Sequence, residues 1–333
     1  MTAHPTPTPG QILDRRFRLV EIIGRGGMAT IFKAEDLENR NAPVVVKFPL
    51  PMFASGVGSW SMFQREEEIG RSLDHPYILK FLSLPPSKHR PYVVTEYAPG
   101  PTLANRLAGG RPLPESDALA IASKLCEAVE CIHRRELVHY DVKPANVILC
   151  PDGSVRLIDL GLAHAAAKGP FSRFVAAPPL ASSDYAAPEQ IRRRRGQKSA
   201  DIYALGATLY EMLTGLPPFP GDDPFVVASA RTIGDPRAPR AVNPNVSPQA
   251  EEIVLRALRR KPEERYSSAG AMKRDLDDPG HVVVSGIALR LKPVTRWGRF
   301  RRRARYVAVV GVLPVAMQIV LFALMWWHYA NKR

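Results

Sequence analysis

The stretch from Leu137 to Leu149 constrains this chain more than any other part of its sequence. It places an acid, a cation and an amide within six residues, as Asp141, Lys143 and Asn146. Apolar runs precede and follow these residues, and each run is short enough to be a buried strand end. The pattern therefore predicts a loop held rigidly between two anchors, with three polar groups of different chemistry presented together.

These three groups suit phosphoryl transfer. The carboxylate of Asp141 could accept the proton of a substrate hydroxyl, Lys143 could stabilise a transferring phosphoryl group, and Asn146 could ligate magnesium. The stretch resembles the catalytic loop of protein kinases, H-R-D-x-x-x-x-N, with Tyr140 where the family usually has arginine. Lys143 stands where the serine/threonine branch of that family carries a lysine.

A glycine-rich turn lies near the start of the chain. The run from Phe17 to Ile23 alternates like a strand, Gly24 to Ala29 follows, and a second strand-like run begins at Thr30. A hairpin with such a tip lets backbone N–H groups approach phosphates, because glycine has no Cβ in the way. It resembles the nucleotide loop of protein kinases, in a Gly-Gly-Met form similar to the bacterial members.

The same resemblance implies the residues that contact ATP. They lie on the hairpin, on the following strand and in the segment that joins the two lobes: Ile23, Gly24, Arg25, Gly26, Gly27, Met28, Ala29, Ile31, Val45, Lys47, Glu96 and Ala98.

Lys47 ends a β-branched run, and a lysine buried there would need a partner or a ligand. By itself the pattern favours an edge lysine that reaches water. The resemblance implies instead that Lys47 contacts the α- and β-phosphates and pairs with a glutamate on a helix. The register favours Glu66 as that glutamate, with Glu67 as the alternative.

Tyr92 to Ala98 reads as a buried strand that opens into a turn, and it resembles the segment between the kinase lobes. By that resemblance Glu96 and Ala98 offer backbone groups to adenine, and the small Thr95 guards the pocket behind it. A long amphipathic helix is predicted to lead into the catalytic loop, and we expect its His133 at the surface.

Later segments continue the resemblance. Asp159 matches the magnesium-binding aspartate of the D-F-G motif, Glu189 matches A-P-E, and Arg265 is placed to pair with Glu189. Asp201 opens the helix that anchors the catalytic loop in the family. Seven motifs in the order of the family imply an α+β, two-lobed protein-kinase-like fold, with a small mostly β lobe, a larger mostly α lobe and ATP between them.

The predicted kinase domain occupies residues 12–276, after a flexible Pro/Thr-rich lead-in at 1–11 and before a basic juxtamembrane segment at 277–305. Residues 306–327 then hold no charge. These 22 residues give roughly 33 Å of helix, enough for a bilayer core of about 30 Å. We therefore expect one C-terminal transmembrane helix, with 328–333 as a short external tail too small to sense a ligand.

Arginines fix the expected orientation of that span. Six of them lie between Arg296 and Arg305, and Trp326 and Trp327 end the apolar stretch. An arginine cluster marks the cytoplasmic side and tryptophans favour the interface. The sequence thus predicts a single-pass protein of the cell membrane with a cytoplasmic kinase domain.

Charge and cysteine content bear on two other classes of protein, those that bind nucleic acid and those that bind a metal through cysteines. The formal charge is +14, but ten cationic residues follow Asp278, and without them it is +4. The basicity belongs mainly to the tail, so nucleic acid is not predicted as a partner. The three cysteines have no metal-ligand spacing.

All the residues that the resemblance assigns to phosphoryl transfer are present. Their presence favours an active serine/threonine kinase in membrane signalling. Such an enzyme uses ATP and Mg²⁺, with Mn²⁺ as the alternative ion. Its expected partners are protein substrates with Ser/Thr hydroxyls and the bilayer, and self-association is left open. The other interpretation is a catalytically dead, membrane-held scaffold. Tyr140 carries no charge, and the segment from Asp159 to Glu189 has no threonine and few serines, namely Ser172, Ser182 and Ser183. We therefore expect activity without a phosphate in this segment.

Overall fold

The computed structural model describes residues 7–26, 29–50, 57–83, 91–160, 164–165, 184–192, 197–293 and 317–318. These residues form the two expected lobes, one built on a sheet and one mostly helical. The α+β kinase-like architecture is thereby confirmed.

The small lobe is a five-stranded antiparallel sheet with its strands in chain order. Its strands are β1 (Ile12–Leu13), β2 (Phe17–Arg25), β3 (Ala29–Asp36), β4 (Ala42–Pro49) and β5 (Val93–Glu96), and one helix, α1 (Val57–Ser72), belongs to the same lobe. Buried and more exposed residues alternate along β3 and β4, as a sheet with one covered face requires. Phe17, Phe32 and Val46 are fully buried at the centre of this lobe's core.

The large lobe surrounds a buried helix. Its helices are α2 (Leu103–Leu107), α3 (Glu115–Arg134), α4 (Pro188–Ile191), α5 (Ser199–Thr214), α6 (Pro224–Ile233), α7 (Pro248–Ala257) and α8 (Ala269–Asp277). Nearly every residue of α5 is buried, because its sequence is apolar or small on all sides. A Cβ on Gly206 would lie 2.6 Å from the Cβ of Ala257, so glycine allows α5 and α7 to pack closely.

Among the described residues, two short antiparallel strand pairs position the loops of the cleft. β6 (Leu137–Val138) pairs with β9 (His164–Ala165), and β7 (Val147–Leu149) pairs with β8 (Val155–Leu157). The apolar runs on either side of Asp141 are therefore strands, as the sequence predicts.

The segment between the lobes crosses β7 at a glycine. Gly100 has φ +128°, and a Cβ there would lie 2.0 Å from the carbonyl oxygen of Leu149. Pro101 accepts a backbone hydrogen bond from Leu149 at 2.9 Å. Only glycine fits this crossing without moving the backbone, so the connection between the lobes is fixed at this point.

After α8 the chain packs back on the large lobe in a segment that we name the C-terminal strap (Pro279–Pro293). Val282 packs against the main core and Ile287 is buried. The backbone of Lys292 exchanges two hydrogen bonds with Asp235, of 2.9 and 3.2 Å. The strap therefore ends beside the C-terminus of α6.

In the part of the chain that the structure describes, no helix combines the length and apolar character needed to cross a bilayer. The predicted span at 306–327 lies outside that part except for Met317 and Gln318. The span and the predicted domain boundaries remain predictions.

Candidate active site

Lys47 stands at the centre of a three-residue charge cluster between the lobes. Its Nζ lies 2.9 and 3.1 Å from the two carboxylate oxygens of Glu66 and 2.8 Å from Oδ1 of Asp159. Glu66 projects from α1 and is buried, whereas Lys47 lies on β4 and Asp159 follows β8. The structure thus places Glu66, and not an edge contact with water, against Lys47.

The charges of this cluster determine its protonation. Burial lowers the pKa of Lys47, but the carboxylates of Asp159 and Glu66 outweigh burial and raise it overall, so the ammonium stays charged. Burial raises the pKa of Glu66, and Asp159 adds to that effect against the opposing Lys47. One cation therefore contacts two carboxylates in this cluster.

Several residues share the sheet face that carries Lys47. Ile31 pairs directly with Lys47, and Val45 pairs with Thr95. Residues opposite each other in an antiparallel pair point to the same face, and so do Val45 and Lys47, two apart on one strand. Val44 pairs with Glu96, so the segment expected to contact adenine adjoins this face.

The glycine-rich turn connects β2 and β3 at one end of this sheet. Gly24 pairs with Ile31 and Arg25 with Thr30, and Gly26 donates its N–H to the carbonyl of Ala29 at 2.8 Å. The hairpin has two register shifts before the tip. Such irregularities bend and twist a strand pair.

The other residues of the predicted ATP-binding set differ in exposure. Ile23 is exposed and Ala98 is buried, whereas Gly27 and Met28 lie outside the described residues.

Two side chains of the catalytic loop, Lys143 and Asn146, form hydrogen bonds with Asp141. Lys143 Nζ lies 2.7 Å from Asp141 Oδ2, and Asn146 Nδ2 donates to the backbone oxygen and to Oδ2 of Asp141, both at 2.9 Å. Asp141 is buried. The acid, the cation and the amide of the sequence pattern are therefore in direct contact, and one carboxylate oxygen of Asp141 carries both side-chain bonds.

Asn146 and Asp159 present the ligands that a hard divalent cation prefers. Nδ2 of Asn146 donates hydrogen bonds to two oxygens of Asp141. The amide oxygen of Asn146 can therefore face a metal. Ile158 donates its N–H to the carbonyl of Asn146 at 2.9 Å, and this bond fixes the strand that delivers Asp159. A carboxylate and an amide oxygen suit Mg²⁺, so these residues fit the ion.

Asp201 supports the catalytic loop from behind. Its carboxylate accepts the backbone N–H groups of His139 and Tyr140, each at 2.8 Å, and lies 2.8 Å from Nε2 of His133. Asp201 is fully buried. Tyr140 has φ +65°, a conformation that costs a non-glycine residue energy. The two N–H bonds to Asp201 offset that strain.

The expectation that His133 lies at the surface was wrong, because its side chain is only 5% exposed. Ala122, Cys126, Val129 and His133 are buried on α3, and their spacing of four, three and four residues follows one helical face. That spacing could have indicated the buried histidine. Its partner Asp201 lies 68 residues away, beyond any local pattern.

α4 is joined to the loop and to the lobe's core. Arg265 forms two bonds with the Glu189 carboxylate, of 2.6 and 2.8 Å, and both side chains are buried. The adjacent Gln190 donates to the carbonyl of Tyr140 at 3.2 Å. The pair expected from the A-P-E resemblance is thus in place and holds the turn that follows the activation segment.

Other expectations fall largely outside the described residues. Ser172, Ser182 and Ser183 lie outside the residues that the structure describes.

Comparison with known proteins gives a consistent result. Residues 17–276 match the protein kinase domain family. The chain is 34% identical over 273 residues to the serine/threonine-protein kinase PknB of Mycolicibacterium smegmatis, covering 81% of this chain and 44% of that protein. It is 35% identical to the probable serine/threonine-protein kinase SCO3848 of Streptomyces coelicolor over 80% of this chain and 40% of that protein. For the serine/threonine-protein kinase PrkC of Bacillus subtilis the identity is 32%, over 80% and 41%. The chain thus spans less than half the length of these relatives.

Proposed function

This chain belongs to the protein kinase domain family, in its bacterial Hanks-type serine/threonine branch, and on that premise we propose that it transfers the γ-phosphate of ATP to serine and threonine hydroxyls of proteins. The observation that carries the proposal is the assembly of two clusters across one cleft. Lys47, Glu66 and Asp159 form the first, and Asp141 with its two neighbours forms the second.

Each side chain has a role that its position supports. Asp141 orients the acceptor hydroxyl and takes its proton, while Lys143 stabilises charge on the γ-phosphate as the phosphoryl group transfers. Lys47, held by Glu66, positions the α- and β-phosphates. Asn146 and Asp159 would hold Mg²⁺ or Mn²⁺, which would supply positive charge against the phosphates. Because phosphoryl transfer depends on positioning and electrostatics, the fixed spacing of these groups is the protein's contribution.

The test compares ATP binding with phosphate transfer. Full-length protein should transfer labelled phosphate from ATP to a protein acceptor, and Asp141→Asn should lower the rate by about 10²–10⁴-fold, the usual contribution of a general base. Asp141→Asn should still bind ATP. Lys198→Ala, which removes an exposed cation of the large lobe, should match the wild type.

Two results would reject this function. Equal rates for Asp141→Asn and wild type would show that Asp141 is not the base. A wild-type protein that binds ATP but transfers no phosphate under any metal would be the scaffold that the sequence left open.

We propose further that residues 306–327 anchor the protein in the cell membrane as a single span, with the kinase domain on the cytoplasmic side. The uncharged length of this stretch and the six preceding arginines support this. The protein should resist extraction from membranes by carbonate and by high salt. Release by either treatment would refute the anchor.

Confinement of this kind would bring the enzyme close to substrates at the same membrane and raise its local concentration. We therefore propose signalling to membrane-associated proteins as the setting of the activity, with regulation by enforced proximity. Full-length protein should phosphorylate a vesicle-bound acceptor faster than the same acceptor free in solution. Equal rates would argue against it.

A further inference from the structure

The C-terminal strap (Pro279–Pro293) carries the most exposed large apolar side chains among the described residues. Leu289 is 91% exposed and Val283 82% exposed, and Val284 is also exposed. Single exposed apolar residues are ordinary, but several within one short segment indicate an interaction surface.

The exposure is not the result of a loose segment. Val282 and Ile287 turn inward and pack on the large lobe. The hydroxyl of Ser285 donates to Glu252, and Arg290 Nη2 donates to the carbonyl of Ser285 at 2.9 Å. The strap therefore holds Val283 and Leu289 outward on a backbone that is fixed by the residues between them.

The charge of this surface is positive. Arg290 and Lys292 are exposed, and no acidic residue occurs anywhere from Pro279 to the last residue. The nearby carboxylates already have partners: Asp235 lies 3.1 Å from Arg260, Glu252 accepts from Ser285, and Asp278 pairs with His281. An apolar surface flanked by unneutralised cations suits an anionic lipid surface.

Chain length places this surface close to a bilayer. Twelve residues, 294–305, separate the strap from the proposed span, and at most about 3.6 Å per residue gives a reach of roughly 43 Å. A tether of that length keeps the strap at a high effective concentration near the lipid.

We propose that the C-terminal strap docks on the anionic headgroup surface of the membrane, with Val283 and Leu289 inserted at the headgroup level and Arg290 and Lys292 against lipid phosphates. This inference rests on the proposed membrane anchor. It goes beyond anchoring because it assigns the face of the large lobe that meets the lipid. Docking fixes the orientation of the kinase domain, whereas a tether alone would leave it free to rotate.

The experiment measures contact between the strap and lipid in full-length protein reconstituted in vesicles. A fluorophore is placed on Leu289→Cys or Val283→Cys, in a background of Cys131→Ser and Cys150→Ser, because Cys126 is fully buried. Quenching by brominated lipid is compared between vesicles of phosphatidylcholine alone and vesicles that also contain phosphatidylglycerol. Asn39→Cys, in the exposed turn between β3 and β4, is the matched label site.

Both strap labels should be quenched in anionic vesicles and less in neutral ones, while the Asn39 label stays unquenched. Arg290→Gln with Lys292→Gln should lower the quenched fraction by at least about half, because each cation near an anionic surface adds to binding. Arg106→Gln with Arg111→Gln, a pair of exposed cations at and after α2, should leave it unchanged. High salt should weaken the quenching.

Unquenched strap labels on protein that stays in the vesicles would overturn docking and leave the anchor standing. Quenching that persists on anionic vesicles although carbonate extracts the protein would support docking and refute the anchor. Strap labels that respond to protein density and not to lipid charge would identify a second copy of the chain as the occupant, which also overturns the proposal.

Discussion

Tyr140 occupies the loop position where a phosphate-dependent kinase would hold its arginine. Its N–H donates to Asp201, its carbonyl accepts from Gln190, and its backbone is held at φ +65°. These backbone bonds fix the loop without any charge on the side chain. A neutral phenol can donate one O–H to a phosphate, but it cannot form the bidentate ion pair that an arginine would form there.

We therefore expect activity to be insensitive to phosphate in the activation segment. Phosphatase-treated protein, Ser172→Ala and Ser183→Ala should keep kcat/KM on a peptide substrate within about tenfold of untreated wild type, equivalent to some 1.4 kcal/mol. Ser182→Ala should lose activity for another reason, since the family resemblance aligns this hydroxyl with one that contacts the catalytic aspartate and lysine. A larger loss in the first three samples would show that another cation receives a phosphate.

By the family resemblance, Thr95 limits what fits behind adenine. It is a small, buried residue on β5, and its hydroxyl donates to the carbonyl of Glu96 at 3.2 Å. Inhibitors with an extra ring at this place should bind the wild type. Thr95→Met should weaken them by more than the roughly 1–3 kcal/mol of ordinary overpacking, because a rigid ring cannot move aside. Thr95→Ser is the control, and equal inhibition of wild type and Thr95→Met would disprove this pocket.

At the scale of elements, α4 depends on a buried ion pair. Arg265 is 0% exposed and bonds Glu189 with both terminal nitrogens, one of which also donates to the carbonyl of Ser199 at 2.7 Å. Loss of one partner would leave the other charge buried and uncompensated. This pair therefore connects α4 to the start of α5 more firmly than a surface ion pair could.

Arg265→Ala should destabilise the large lobe by about 3–5 kcal/mol. Lys198→Ala, which breaks the exposed pair with Glu136 at 2.8 Å, should cost less than about 1 kcal/mol. Urea unfolding of the detergent-solubilised protein, followed by far-UV circular dichroism of the helical lobe, measures both. Similar midpoints for the two variants would show that burial does not strengthen the dependence on Arg265.

The elements differ in how far the sequence predicts them. The strands around Asp141 and the hairpin of the glycine-rich turn follow from short periodic runs with turn residues between them. Asp201 and His133 illustrate the limit, because their contact depends on how α3 and α5 pack. The same holds for Val282 and Ile287 of the strap, since nothing in a basic, proline-containing stretch indicates which large-lobe surface will bury them.

For the whole molecule, the strap extends the packed domain to Pro293. Protein truncated after Asp277 should have a lower melting temperature than protein truncated after Pro293, because it loses the burial of Val282 and Ile287. Full burial of one such side chain contributes about 1.5–3 kcal/mol. Truncation after Pro293 should also keep activity on soluble peptides. Equal melting temperatures for the two fragments would show that the strap adds nothing to stability.

Lys47 belongs to the small lobe and Asp159 to the large one, so their 2.8 Å ion pair links the two lobes directly across the cleft. If ATP binds as proposed, its phosphates replace Asp159 as a partner of Lys47, and Asp159 can then bind a divalent cation. We therefore expect nucleotide and metal to bind as a thermodynamically coupled pair. Titration calorimetry should find that each tightens the affinity of the other, by equal factors in both orders of addition.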